Sequence, residues 1–172
     1  DARGLVRGYL EAGWILVQDS WAGKQHLLVY APPGWTQAHL VPVNADFGAI
    51  RLLGYYVAPG VQPGEAVRLV LCWEARAAVS ADYTVFTHLL APDGNLHAGQ
   101  DNPPAGGTRP TSTWRAGDIV WDTYSLPVHH EAVPGEYVIQ VGLYDPATGT
   151  RLLTGAADAV RLAAIRVGAD AR

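Results

Sequence analysis

Apolar and polar positions alternate with a period of two through much of this chain. In 136–144, Tyr137, Ile139, Val141 and Leu143 share one face, with Val138, Gln140, Gly142 and Tyr144 on the other. In 65–75, Val67, Leu69, Leu71 and Trp73 face one way, and Arg68, Cys72 and Glu74 the other. Such alternation belongs to strands with one buried face, because successive side chains on a pleated backbone point to opposite sides. Turn signals separate these runs at short intervals: Pro59-Gly60, Pro63-Gly64, Pro92-Asp93-Gly94-Asn95, Pro134-Gly135, and Asp145-Pro146 through Gly149. Pro presets the backbone for a tight turn and Gly supplies the freedom to complete it. The pattern predicts strands near 38–43, 48–57, 65–75, 83–91, 95–101, 118–128, 136–145 and 158–167, with no helix longer than two turns among them. Short strands at this spacing predict an all-β fold, an antiparallel β-sandwich of immunoglobulin-like or jelly-roll-like type, over residues 35–168. Trp73, Leu71, Ile139, Val141 and Leu143 are its expected core.

The beginning of the chain reads differently. Leu5, Val6, Tyr9 and Leu10 stand at helical spacing, with Gly13 as a C-cap, and 14–19 and 25–31 read as a hairpin. Pro32-Pro33-Gly34 closes this unit, so residues 1–34 are expected to be a short α-β-β segment. Residues 169–172 are read as a disordered tail. One long irregular stretch, 102–117, carries three Pro, three Gly and Trp114. Loops this long in compact domains tend to be functional or disordered. The aromatic and prolines favour an ordered loop packed back on the sandwich. Asp101 at its base is the expected acceptor for backbone N–H groups that such a loop leaves unpaired.

Composition narrows the classes. With 49% hydrophobic and 16% charged residues the chain is not intrinsically disordered, and 172 residues suffice for one sizeable core plus a short extra segment. A net charge of −4 gives no basic footprint for nucleic acid. No apolar run approaches the roughly 20 residues of a membrane-spanning helix. Cys72 is the lone cysteine and lies in an apolar strand, so it reads as core, and no disulfide framework exists to indicate the compartment. The start at Asp1 and the absence of Met lead to the expectation of a piece of a larger protein.

Chemistry is sparsely signalled. If Asp93-Gly94 is a two-residue hairpin turn, Leu90 pairs with His97 and Phe86 with Asp101, and His88, His97 and Asp101 project from one face. Two imidazoles and a carboxylate so placed have metal-ligating or acid–base chemistry. The plainer alternative is hydrogen bonding to the loop above them. His129-His130-Glu131 reads as solvated loop, and Asp93-Gly94-Asn95 as turn chemistry without the carboxylate-rich continuation of a calcium loop. No Gly-x-Ser-x-Gly elbow, Walker loop or His-Glu-x-x-His occurs, so no catalytic residue, metal site or cofactor is expected. Six Trp and eight Tyr suit either core packing or sugar stacking. Trp35 and Trp114, both read as loop residues, are the candidates for stacking.

The run VFTHLLAPDGNLHAGQDNPPAGGTRPTSTWRAGDIVWDTYSLPV (85–128), followed by PGEYVIQVGLYDPATGTRL (134–152), resembles the soluble C-terminal β-domain of certain large bacterial membrane proteins. Those proteins are similar to dolichyl-phosphate-mannose–protein mannosyltransferases. The resemblance rests on His88, Asp93-Gly94, Asp101, Pro110-Thr111, Trp114, Gly117-Asp118, Asp122, Tyr124 and Gly142 to Asp145, about half of the chain. It implies that residues 1–34 are the tail of an upstream region, and that the rest is a non-catalytic accessory module on the extracytoplasmic face of a membrane, working beside its parent membrane domain to position a glycan or an acceptor polypeptide. The catalytic acids of such transferases lie in the membrane-embedded part, so none is carried over. A carbohydrate-binding module of another extracytoplasmic protein is the alternative, and a hydrolase using the His88/Asp101 face a third reading.

Overall fold

The computed structural model describes residues 15–22, 25–31, 37–58 and 60–168. The helix expected over 3–12, Trp35, the boundary at 32–36 and the tail at 169–172 lie outside the described residues. A hairpin comes first, β1 (Ile15–Ala22) pairing antiparallel with β2 (Gln25–Ala31). The body follows as β3 (Val41–Phe47), β4 (Ile50–Val57), β5 (Gly60–Val61), β6 (Ala66–Ala75), β7 (Thr84–Leu90), β8 (Leu96–Asn102), β9 (Ile119–Pro127), β10 (Gly135–Tyr144) and β11 (Val160–Val167). Each strand predicted in this region is present, shifted by a few residues at most at its ends.

Two sheets form, a four-stranded one in the order β3-β4-β6-β9 and a five-stranded one in the order β5-β11-β10-β7-β8. All pairings within them are antiparallel except β5 with β11, which run parallel. The sheets face each other across one core. Leu69, Leu71 and Trp73 enter it from β6, Val85 and Leu89 from β7, and Tyr137, Ile139, Val141 and Leu143 from β10, all at most 1% exposed. The expected core residues are therefore buried, on the faces of β6 and β10 that the alternation assigns to the core. Fully burying each such aliphatic side chain contributes roughly 1.5–3 kcal/mol, which makes this layer the main source of stability.

Outward faces are not uniformly wet. Phe86, opposite Gly142 on the outer face of the five-stranded sheet, is 1% exposed. The Arg151 guanidinium covers its ring at 4.3 Å. On the four-stranded sheet, outward-pointing Val70 and Cys72 are buried as well. The hairpin strand β1 lies against β9 of that sheet. Among the described residues, no helix is long and apolar enough to cross a membrane.

Candidate functional site

The 102–117 stretch is ordered, as expected, but the residues that hold it differ from those expected. Two short 3-10 turns, Pro104–Gly107 and Thr111–Thr113, fold it against the sandwich. Thr111 is fully buried, donating its hydroxyl to the Ala81 carbonyl at 2.7 Å and accepting the Tyr83 N–H at 2.8 Å. Trp114 is 1% exposed and its indole N–H donates to the Arg109 carbonyl at 3.0 Å. The ring is thus a wedge that fixes the loop, and no face of it is available to stack on a sugar. This corrects the expectation of a free loop aromatic.

The carboxylate beneath the loop is Asp122, not Asp101. Asp122 points inward from β9, is 1% exposed, and accepts the Ala105 N–H at 2.9 Å and the Tyr124 O–H at 2.7 Å. Burial pushes its pKa up to about 6, against the pull of these donors. The Trp73 indole N–H lies near enough to favour the ionised form but misses hydrogen-bond geometry and has no other partner. Asp101 is exposed on the outer face of β8. There its charge helps to raise the Tyr144 phenol, whose main cause of elevation is burial.

The proposed His88/His97/Asp101 face divides. Phe86 pairs with Asp101 as expected, but Leu90 pairs with Leu96. The connection is one residue longer than a two-residue turn: Ala91 N–H bonds to the Asn95 carbonyl at 2.9 Å, and Gly94 sits at φ 82°. A β-bulge between Leu96 and Ala98 takes up the extra residue, which is His97. His88 and Asp101 stay together outside, with the His88 ring 5.0 Å from Phe86 and over Gly99. Burial lowers the His88 pKa, while Asp101 opposes that change and Arg151 adds to it.

His97 instead turns to the end of the sandwich, where it joins His129 of the β9–β10 loop. Its ring lies 4.4 Å from the His129 ring and meets the buried Tyr137 edge-on at 5.2 Å. The His129 backbone N–H donates to His97 Nε2 at 3.2 Å. That bond requires an unprotonated Nε2, so the neutral ring carries its hydrogen on Nδ1. Burial, then the neighbouring His129, hold the His97 pKa below 6.5.

These contacts complete an edge. Among the described residues β9 pairs with β6 alone and is the edge of its sheet, so alternate N–H groups on its other side need partners. Gln100 Oε1 accepts the Ser125 N–H at 2.9 Å, Pro127 has no N–H, and His97 serves His129 just beyond the strand. Two side chains of β8 thereby cover the C-terminal end of this edge.

Beside them opens a cavity of about 330 Å³ lined by Ala91, Pro92, Asp93, His97, His129, Glu131, Ala132, Val133 and Tyr137. Its apolar wall is Ala91, Pro92, Ala132 and Val133. Its charged groups are the carboxylates of Asp93 and Glu131, and no Lys or Arg lines it. Asp93 is engaged by the Asn95 N–H and side-chain amide at 3.0 and 2.8 Å, which hold its carboxyl below the usual range. Tyr137 donates to the Val133 carbonyl at 3.0 Å. His130 leaves the cavity and packs its ring on Gly64. Among the described residues, no three His, Cys, Asp or Glu side chains are grouped to hold a metal ion.

No protein-family model matches the chain, and no curated protein does. Among solved structures it is similar to the C-terminal domain of wzt, at 15% identity over 72% of this chain and 75% of that one, TM-score 0.49. It is also similar to the CARDB domain of the PF1109 protein from Pyrococcus furiosus, solved in complex with di-metal ions, at 10% identity over 66% and 88%, TM-score 0.42. A β-glucosidase from Listeria innocua, solved in complex with glucose, matches at 13% identity over 66% of this chain and 16% of that one, TM-score 0.40. Likeness at this level carries no functional argument, so function is inferred from the site.

Proposed function

We propose that this chain is a non-catalytic saccharide-binding module whose cavity beside His97 holds one sugar residue of a glycan or glycosylation acceptor. The cavity carries this reading. At about 330 Å³ it lies at the small end of the range for ligand pockets, roughly 300–1,000 Å³, which suits a single ring better than a long polymer. Flat imidazole faces at His97 and His129 and the wall from Ala91 to Val133 suit the C–H face of a pyranose. The Asp93 and Glu131 carboxylates suit its hydroxyl groups. With carboxylates as the charged lining and His97 neutral, a neutral or amino sugar is favoured over a uronate or sugar phosphate.

Binding without turnover fits the same geometry. His97 Nε2 already accepts a backbone N–H and is not free to take a proton from a substrate. The Cys72 thiol is fully buried and pushed up to about 12 by burial, and so is no nucleophile. In the setting implied by the sequence resemblance, the module sits on the extracytoplasmic face of a membrane glycosyltransferase and presents glycan or acceptor to chemistry performed elsewhere in the parent protein.

The test is a titration of the chain with methyl α-mannoside, glucose, glucosamine and glucuronate at millimolar concentrations, followed by the imidazole resonances. Neutral or amino sugars should shift His97 and His129 and leave His88 in place. If none of these sugars moves the His97 or His129 signals, the cavity is not a saccharide site.

A further inference from the structure

We propose that His97 is a pH-operated latch: neutral, it holds the β9–β10 loop closed as a wall of the cavity, and protonated, it lets that wall go. The proposal rests on the reading of the cavity as a saccharide site and adds its regulation. The segment 129–132 is a turn closed by the Ala132 N–H on the His129 carbonyl at 3.0 Å, with Ala132 set in the core, and it runs between two fixed points. Val128 is bound to both Gly64 and Glu65 through its carbonyl and N–H, at 2.9 and 2.8 Å. Val133 is held through its carbonyl by Tyr137. Between them, the bond from the His129 N–H to His97 Nε2 ties the segment to β8.

Protonation turns that Nε2 from an acceptor into a donor aimed at another donor, so the bond cannot survive it. The groups facing His97 are Asp93 from the β7–β8 loop, His129 and Glu131 from the β9–β10 loop, and Tyr137 from β10. The carboxylates favour a charged ring. Burial and His129 oppose it, and they prevail, since the His97 pKa lies below 6.5.

The sign follows from the depressed pKa. Above 6.5 the ring is neutral and the latch is shut. As pH falls through the lower folded value, the proton enters and the latch opens. Losing one net hydrogen bond should raise the open population roughly fivefold.

The experiment follows the His129 amide protection factor by hydrogen exchange, and the His97 ring by NMR, from about pH 8 to about pH 5 without ligand. The protection factor should fall roughly fivefold with a midpoint matching the His97 titration. His97→Gln places a non-titrating acceptor at the same reach and should make the protection independent of pH. His129→Ala keeps the backbone donor but removes the second ring, so the midpoint should move upward. Unchanged protection across the range in the parent chain, or a midpoint unrelated to His97, overturns the latch. A methyl α-mannoside titration at both ends of the range separates the two readings. Opening with no mannoside response at either pH leaves the latch standing and removes the saccharide site. Mannoside affinity that is equal at both ends refutes control of binding by the latch.

Discussion

Replacing Asp122 isolates one buried charge. The carboxylate is 1% exposed and accepts the Ala105 N–H and the Tyr124 O–H, yet burial still raises its pKa from 3.8 to about 6. That elevation corresponds to on the order of 3 kcal/mol by which the fold disfavours the ionised form. Between about 4 and 6 the folded chain holds a proton that the unfolded chain has lost. Stability therefore falls as pH rises through this window, then levels off above it. Asp122→Asn keeps one oxygen to accept the Ala105 N–H, places an amide NH2 opposite the Tyr124 hydroxyl, which must then turn to accept from it, and removes the charge, so this slope should disappear and the difference from the parent should move in the variant's favour with rising pH. Asp122→Ala instead strands the Ala105 N–H and the Tyr124 O–H, and should cost about 2–4 kcal/mol by leaving two buried donors without a partner. Urea denaturation at intervals from about pH 4.5 to 8 measures both variants against the parent, and a change in midpoint at constant slope isolates stability. If the difference between Asp122→Asn and the parent is the same at every pH, the carboxylate does not titrate as its burial requires.

Other perturbations test the packing. Gly142→Ala would drive a methyl group into the Phe86 ring and to 2.8 Å from the Asp158 carbonyl, so a loss of about 1–3 kcal/mol is expected in a thermal melt, and an unchanged midpoint would contradict the packing of Phe86. Trp114→Ala should cost about 3–5 kcal/mol, while saccharide titration at a temperature where the variant remains folded should match the parent. A selective loss of sugar affinity without loss of stability would show the ring to be a contact after all. Cys72 should resist a thiol reagent in the native protein and react stoichiometrically in urea; rapid native labelling would refute its burial.

Local pattern carried most of the architecture. Period-two alternation and Pro-Gly turns act within a few residues, and both located β6 and β10 because tertiary contacts there agree with local preference. Non-local features were less legible. β5 has two residues, too few for a period, and its parallel pairing with β11 depends on the whole sheet. Asp122 stood in phase with Val120, Tyr124 and Leu126, so its inward direction was readable from β9 alone. That Ala105 would arrive above it was not readable. His97 was misplaced by one residue of loop length, which the bulge absorbs, and that shift carried it from the outer face to the cavity. His129 and Glu131 gave only a polar triplet beside a turn, with no spacing to distinguish cavity wall from solvated loop. Trp114 looked exposed because it lies in a loop, whereas the 3-10 turns around it bury the ring.

A plug at the cavity mouth decides whether the sugar binds there. Val133 lines the cavity with its side chain largely exposed, so Val133→Trp fills the opening while leaving the core untouched. Saturation-transfer NMR with methyl α-mannoside should show sugar signals for the parent chain and none for the plugged variant. The sugar should be recovered unchanged from both. Transfer that persists with the cavity filled would place the binding surface elsewhere, and release of methanol from the mannoside would contradict a module that binds without catalysis.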